Sequence, residues 1–223
     1  MNSFARFPGI VSILSLAMFL VISSASAVVS PVVVFDSFGS GNTYLTTVGW
    51  AVEGVSVTAG YRGQAEWFVP GISGNLTTLQ LAMYRSSGSG RSNFYLAQDN
   101  GGIPGTVLES FLNVLSPNGV LTLNSTAQSL LQAGNEYWLC AEPADSTTVS
   151  GWYYNNQNYH PGFAFERSQW GWSAFTDAAH SPSSGVFRVS VTPVPEPSVL
   201  ALLIPGAWLC IGRCKRGADL IRR

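Results

Sequence analysis

Apolar and polar residues alternate over much of the chain between residues 28 and 193, with the two-residue period of β-strands. The clearest run is 76–84, where Leu79, Leu81 and Met83 fall on one face with Thr77. The other face of this run carries Leu76, Thr78, Gln80, Ala82 and Tyr84. Hydrophobicity indicates that the face containing Leu79, Leu81 and Met83 is buried.

Further runs rich in β-branched and aromatic residues predict strands at 32–35, 44–52, 64–69, 93–98, 120–123, 136–142 and 185–192. Residues 106–115 also fit helical spacing, but their β-branched start and flanking strands favour an extended structure. Residues 125–131 predict either a helical turn or an edge strand. About ten strands separated by Gly, Pro and Asn turns are typical of an all-β fold, here an antiparallel β-sandwich that is jelly-roll-like in size.

The first 27 residues have the pattern of a secretory signal peptide. Arg6 supplies the positive start, residues 10–22 form an apolar stretch, and Ala25 and Ala27 form a small-residue cleavage site. A transmembrane helix is the alternative, but the stretch is short and its end suits cleavage. The pattern predicts export, with a mature chain that begins near Val28.

The last 31 residues, 193–223, combine a Pro-rich spacer, an apolar segment at 199–212 and a basic tail. The motif Pro195-Glu196-Pro197 precedes the apolar segment. A helix of that length would reach roughly 21 Å, against about 30 Å for the hydrocarbon core of a bilayer. The segment is therefore marginal as a permanent anchor, although a simple membrane anchor remains the alternative reading.

This C-terminal arrangement resembles the PEP-CTERM sorting signal of Gram-negative bacteria that make exopolysaccharide. The resemblance covers about the last 30 residues and implies recognition by an exosortase, a membrane transpeptidase, with removal of the tail. It further implies passage through the inner membrane and delivery to the cell surface, or to the extracellular matrix of a biofilm. The tail after Arg213 is longer than the usual pattern and contains Asp219.

Composition limits the classes of partner. The whole chain is 46% hydrophobic and 10% charged, with a formal net charge of −1. The body at 28–192 has the length of one domain, and its arginines are scattered rather than clustered. Such a neutral, hydrogen-bonding surface disfavours nucleic acid and suits a sugar-rich environment.

No catalytic motif stands out in the body. Cys140 is predicted to be a buried small hydrophobe, and His160 and His180 are predicted to be loop residues. The Asp/Asn/Gly-rich loop at 99–105 lacks the carboxylates of a calcium site, and no G-x-S-x-G sequence occurs. A glycosidase needs two carboxylates that flank the sugar, and the sequence gives no reason to bring any two acidic residues together. The acidic candidates are Glu53, Glu66, Glu109, Glu136, Glu142, Asp145, Glu166 and Asp177. We therefore predict a protein that is not an enzyme and has neither cofactor nor metal.

A second resemblance concerns the body. The turn at 97–105, the turn and strand start at 133–139 and the closing Phe187-Arg188-Val189 resemble the bacterial choice-of-anchor β-sandwich domains, in particular the R type. The likeness covers about residues 35–192. It implies a sandwich fold and a surface location, and it implies no activity and no site.

Aromatic residues concentrate between 152 and 175. Rings interleaved with amides could stack on sugars and bond their hydroxyls, and the candidates for glycan contact are Trp152, Tyr154, Tyr159 and Trp170. The same rings could instead fill the core. The sequence therefore predicts an exported structural or adhesive protein of the envelope or biofilm. A carbohydrate-binding, lectin-like module that contacts exopolysaccharide is the alternative, and a secreted glycan-active enzyme is the third reading.

Overall fold

The computed structural model describes residues 29–57, 61–157, 164–168, 171–174 and 184–194. Within these ranges the chain forms thirteen β-strands and one 3-10 turn, Ser40–Asn42. All the strand pairings are antiparallel, and the strands form two sheets. The predicted all-β antiparallel sandwich is confirmed.

The first sheet has seven strands. Their bounds are β1 Val32–Asp36, β2 Gly49–Glu53, β4 Gly74–Ser87, β7 Gly119–Asn124, β8 Leu130–Leu131, β10 Val149–Tyr153 and β13 Phe187–Pro193. The path through the sheet is β1-β13-β4-β10-β2, and β7 and β8 also pair with β4. With 14 residues, β4 is the longest strand of this sheet, and it pairs with four others, β7, β8, β10 and β13.

The second sheet has six strands in the order β12-β11-β3-β9-β5-β6. Their bounds are β3 Gly63–Phe68, β5 Arg91–Asp99, β6 Pro104–Leu115, β9 Tyr137–Pro143, β11 Ala164–Ser168 and β12 Gly171–Ala174. The extended structure favoured for 106–115 is confirmed by β6. Every described residue of β9 is buried, as expected for a strand in the middle of a sheet.

The core lies between the sheets and contains large side chains from both. Its fully buried members include Trp152, Phe187 and Met83 from the first sheet and Phe68, Phe94 and Leu139 from the second. The face predicted to be buried on 76–84 is confirmed, since Leu79, Leu81 and Met83 all belong to this core.

One position on β4 was assigned to the wrong face. Strict alternation predicts Leu76 on the polar face, but its side chain is fully buried in the core. The pairing with β13 shifts register here, so that Val191 pairs with Leu76 whereas Ser190 pairs with Thr78. A bulge of this kind inserts one residue into a strand and reverses the alternation beyond it.

The predicted targeting segments fall outside the part of the chain that the structure describes. The signal peptide with Ala25 and Ala27 and the sorting motif Pro195-Glu196-Pro197 lie outside the described residues. The same holds for the predicted membrane segment at 199–212. Within the described ranges, no helix combines the length and the hydropathy needed to cross a membrane.

Candidate functional site

The second sheet carries large side chains on its outer face as well as on its core face. On β9, Tyr137 and Leu139 belong to the core, whereas Trp138 and Cys140 belong to a separate cluster with Ala65 and Ala97. Trp67, Tyr95 and Trp172 pack against that second cluster. Because side chains alternate along strands, this cluster covers the outer face of the sheet.

A pocket of about 390 Å³ opens on this outer face. Its lining residues come from β5, β6, β9 and β12 and are Tyr95, Ala97, Pro104, Gly105, Val107, Cys140, Glu142 and Trp172. The volume lies within the usual range for small-ligand sites, about 300–1,000 Å³. We call this feature the outer pocket.

The outer pocket owes its depth to small residues between large ones. Ala97 and Cys140 are buried beneath it, while Tyr95 and Trp172 are only partly buried and keep ring surface exposed. On a flat sheet, short side chains flanked by rings leave a depression that the rings border. The two aromatic side chains therefore provide apolar surface around an open space.

Glu142 is the polar group of the outer pocket. The residue is 6% exposed, and its Oε2 accepts a hydrogen bond of 2.6 Å from the Tyr61 hydroxyl. A charge-assisted bond this short holds the carboxylate in one orientation. The outer pocket thus combines aromatic surface with an oriented hydrogen-bond acceptor.

The turn beside the outer pocket is rigid for a structural reason. The Trp138 indole donates from Nε1 to Asp99 Oδ1 at 2.8 Å, and the Gly102 amide donates to the same carboxylate. Gly101 and Gly102 adopt φ values of 69° and 87°, which suit glycine. This carboxylate therefore orders the loop at 99–105, as the sequence predicted for a turn, and supports the strand end where Pro104 and Gly105 line the outer pocket.

The residues proposed for glycan contact have different outcomes. Trp152 is fully buried in the core and donates from Nε1 to the Val186 carbonyl at 2.8 Å, so glycan contact at Trp152 is wrong and core filling is the correct alternative. Tyr154 is half-buried, and its ring lies edge-on to Trp50 at 5.4 Å, away from the outer pocket. Tyr159 and Trp170 lie outside the residues whose side chains the structure describes.

Two of the acidic candidates have structural roles. Glu66 is buried and bonded to Ser184 and Gly185, and Glu109 accepts three hydrogen bonds from residues 125–127. Cys140 is buried, as predicted. Among the described residues, no group of three potential metal ligands occurs.

Sequence reasoning did not select the side chains that form the outer pocket. The sequence predicts a strand at 93–98, but alternation alone does not show whether the face of Tyr95 and Ala97 lies inside. Glu142 was one acidic candidate among several, and nothing in the sequence set it apart. The available signal was the alternation on β9, which places Trp138, Cys140 and Glu142 on one face. Glu142 is the charged residue of this strand and marks that face as different from the other.

No protein-family model matches the chain, and no curated protein matches it. Among solved structures, it is similar to a chain of Cwp84, a surface layer associated protein of Clostridium difficile, in the crystal structure of its cysteine protease and lectin-like domains. The TM-score is 0.42 at 13% sequence identity, and the match covers 60% of this chain and 32% of that chain. This chain therefore spans about a third of that chain's length, and a likeness of this size carries no argument about activity.

Proposed function

We propose that this chain is an exported protein of the cell envelope or extracellular matrix, with a structural or adhesive role, and that its sandwich binds carbohydrate through the outer pocket. The supporting observation is the meeting of Tyr95, Trp172 and Glu142 in one pocket. Sugar rings present C–H faces that pack on aromatic rings, and their hydroxyls donate to carboxylates. The outer pocket offers both kinds of contact at once.

Binding without cleavage is the activity that these side chains support. Glycosidases place two carboxyl groups on either side of the scissile bond, roughly 5–10 Å apart. Among the described residues that line the outer pocket, Glu142 is the one carboxylate. Its bond with Tyr61 orients it as an acceptor for a ligand hydroxyl.

The test is binding of the purified chain to an array of neutral and acidic polysaccharides, followed by titration of the best ligand. Trp172→Ala and Tyr95→Ala should each weaken binding about tenfold or more, because buried aromatic contacts carry much of the energy of an interface. Leu112→Ala is the matched control, since Leu112 lies on β6, is 62% exposed and does not line the outer pocket. Absence of binding to every polysaccharide, or full affinity in a folded Trp172→Ala variant, would overturn the proposal.

Delivery to the surface is a separate part of the proposal. The order of Pro195-Glu196-Pro197, an apolar segment and a basic tail supports processing by an exosortase, following export directed by residues 1–27. Mass spectrometry of the form released from the host should find a mature chain that lacks 208–223. A released chain that still carries those residues would contradict processing and leave the simple membrane anchor as the better explanation.

A further inference from the structure

A second aromatic surface lies on the outer face of the first sheet, on the side of the sandwich opposite to the outer pocket. Ring centroids are separated by 6.0 Å between Phe38 and Tyr44, 5.4 Å between Tyr44 and Tyr153, and 5.0 Å between Tyr153 and Tyr84. The four rings thus form a continuous series of contacts, which we call the tyrosine row. Phe38 is buried, and the three tyrosines are partly exposed.

The strand pairing of the first sheet places these rings on its outer face. Trp152 and Met83 pair across β10 and β4 and both face the core, so their neighbours Tyr153 and Tyr84 face outward. Tyr84 pairs with Gly151, where a Cβ atom would lie 2.3 Å from the Tyr84 ring. Glycine at this position therefore allows the Tyr84 ring to lie flat against the sheet.

The tyrosine hydroxyls are available to a ligand. Within the described residues, none of the hydroxyls of Tyr44, Tyr84 and Tyr153 takes part in a hydrogen bond, and none is fully buried. A tyrosine hydroxyl that reaches solvent and has no protein partner can donate to or accept from a bound ligand. These three neighbouring phenols therefore offer hydrogen-bonding groups beside ring surface on one face.

The border of the tyrosine row is polar, and its charges are paired. Near Tyr84, whose pKa is raised by burial and then by the charge of Glu53, that carboxylate lies 4.0 Å from the Arg62 guanidinium. Asn156 donates from Nδ2 to Thr43 Oγ1 at 3.1 Å, and Gln157 donates from Nε2 to Asn156 Oδ1, so both amides lie near Thr43, the chain neighbour of Tyr44. At the other border the Arg188 guanidinium lies 5.2 Å from the Phe38 ring centroid and is paired with Asp36 at 2.8 Å. The surface therefore offers ring faces for apolar contact, and amides and phenol hydroxyls for hydrogen bonds. Because its charges are paired, this surface suits a neutral ligand rich in hydroxyl groups.

We propose that the tyrosine row is a second carbohydrate-binding surface, which takes a neutral polysaccharide. The proposal of this second binding surface depends only on the observations above. The cross-linking described next rests also on the proposed function of the outer pocket. With sites on opposite faces of one sandwich, a single chain holds two polysaccharide strands and cross-links them. Cross-linking of this kind gives the structural or adhesive role a physical basis, because two weak sites on one body bind a polymer network with higher avidity than either alone.

The test uses Phe substitutions, which keep the rings and remove the hydroxyls. Because these hydroxyls have no partner in the described structure, the triple variant Tyr44→Phe, Tyr84→Phe and Tyr153→Phe should fold with unchanged stability. Its affinity for a neutral polysaccharide through this face should fall about tenfold or more, since each lost hydrogen bond contributes roughly 0.5–1.5 kcal/mol. The probe is hydroxyethylcellulose or dextran, whichever the monomeric wild-type chain binds more tightly, with alginate as the acidic comparison.

Combining the variants separates this inference from the proposed function. We expect Trp172→Ala and the triple Phe variant each to retain part of the binding, and the combined variant to retain none. If Trp172→Ala removes all binding, the tyrosine row is not a site and the outer pocket stands alone. If the triple Phe variant removes all binding, the proposed function of the outer pocket fails and the tyrosine row remains. Absence of binding to all three polysaccharides would overturn both.

A second measurement tests cross-linking directly. The wild-type monomer should raise the viscosity or turbidity of a polysaccharide solution, whereas each single-face variant should bind without doing so. Calorimetry measures how many oligosaccharides each wild-type chain binds. A stoichiometry of one oligosaccharide per chain would contradict the presence of two sites. Alginate bound more tightly than the neutral probes by the Trp172→Ala variant would contradict the neutral ligand class.

Discussion

The Ser184 hydroxyl donates a hydrogen bond of 2.5 Å to Glu66 Oε2. Glu66 lies on β3 of the second sheet and Ser184 comes shortly before β13 of the first, so this bond connects the two sheets. The amide of Gly185 donates to Oε1 of the same carboxyl group at 2.7 Å. Burial raises the pKa of Glu66 from 4.5 to about 8, and the two hydrogen bonds offset only part of this effect. In the folded protein at neutral pH, this carboxyl group is therefore mostly protonated.

This pKa shift predicts a pH dependence of stability. Because the folded-state pKa lies above the unfolded value, the contribution of Glu66 is complete below about pH 4.5 and is lost as the pH rises toward about 8. Glu66→Gln cannot ionise and should flatten this slope. Denaturant unfolding of both proteins between about pH 5 and pH 9 measures it. An identical slope in wild type and variant would show that Glu66 does not titrate in this window.

Gly185 is predicted to be a site that tolerates no side chain. A Cβ atom there would lie 2.8 Å from the buried Trp152 ring, which has no room to move in the core. Gly185→Ala should therefore lower the free energy of unfolding by about 1–3 kcal/mol. Gly71→Ala is the control, because a Cβ atom there meets nothing within 4 Å, and its effect should be neutral or slightly stabilising. Equal stabilities for the two variants would contradict the prediction.

Glu109 is predicted to hold the loop that follows β7. Its carboxylate accepts from Ser125 Oγ at 2.7 Å and from the amides of Thr126 and Ala127 at 2.7 and 3.1 Å. Glu109→Ala leaves these donors without their acceptor, so the free energy of unfolding should fall by about 1–3 kcal/mol. Glu136→Ala, at an exposed acid, should change it by less than about 0.5 kcal/mol. Chemical denaturation measures the free energy of unfolding of both variants. If Glu109→Ala loses no more of it than Glu136→Ala, Glu109 does not hold the loop after β7.

Cys140 is predicted to report on the outer pocket. The residue is 2% exposed and lines the outer pocket, so a thiol reagent should label it only through local opening. In a chain with Cys210 and Cys214 replaced by Ser, labelling should be slow in the folded state and fast in denaturant. A bound polysaccharide should slow it further. Unchanged labelling at saturating ligand would place the ligand away from the outer pocket.

Local sequence pattern was enough to determine the fold class. Alternation over a few residues decides which side chains share a face, and a face with Leu79, Leu81 and Met83 must be buried whatever lies opposite. Turn residues likewise placed the strand ends, as at Gly101 and Gly102. The expectation that Cys140 is buried needed only its neighbours in an apolar strand.

Tertiary structure decided which face of each strand became the site. Both faces of β9 are buried and each begins with an aromatic residue, so apart from the acid Glu142 its pattern does not distinguish the core side from the side of Trp138 and Cys140. The bulge opposite Val191 moved Leu76 into the core, because the pairing partner, and not the run itself, determined the register. Only the assembled sheet brought Tyr95, Glu142 and Trp172 around one pocket, since these residues are distant in sequence and β12 is separated from β9 by two other strands and from β5 by three.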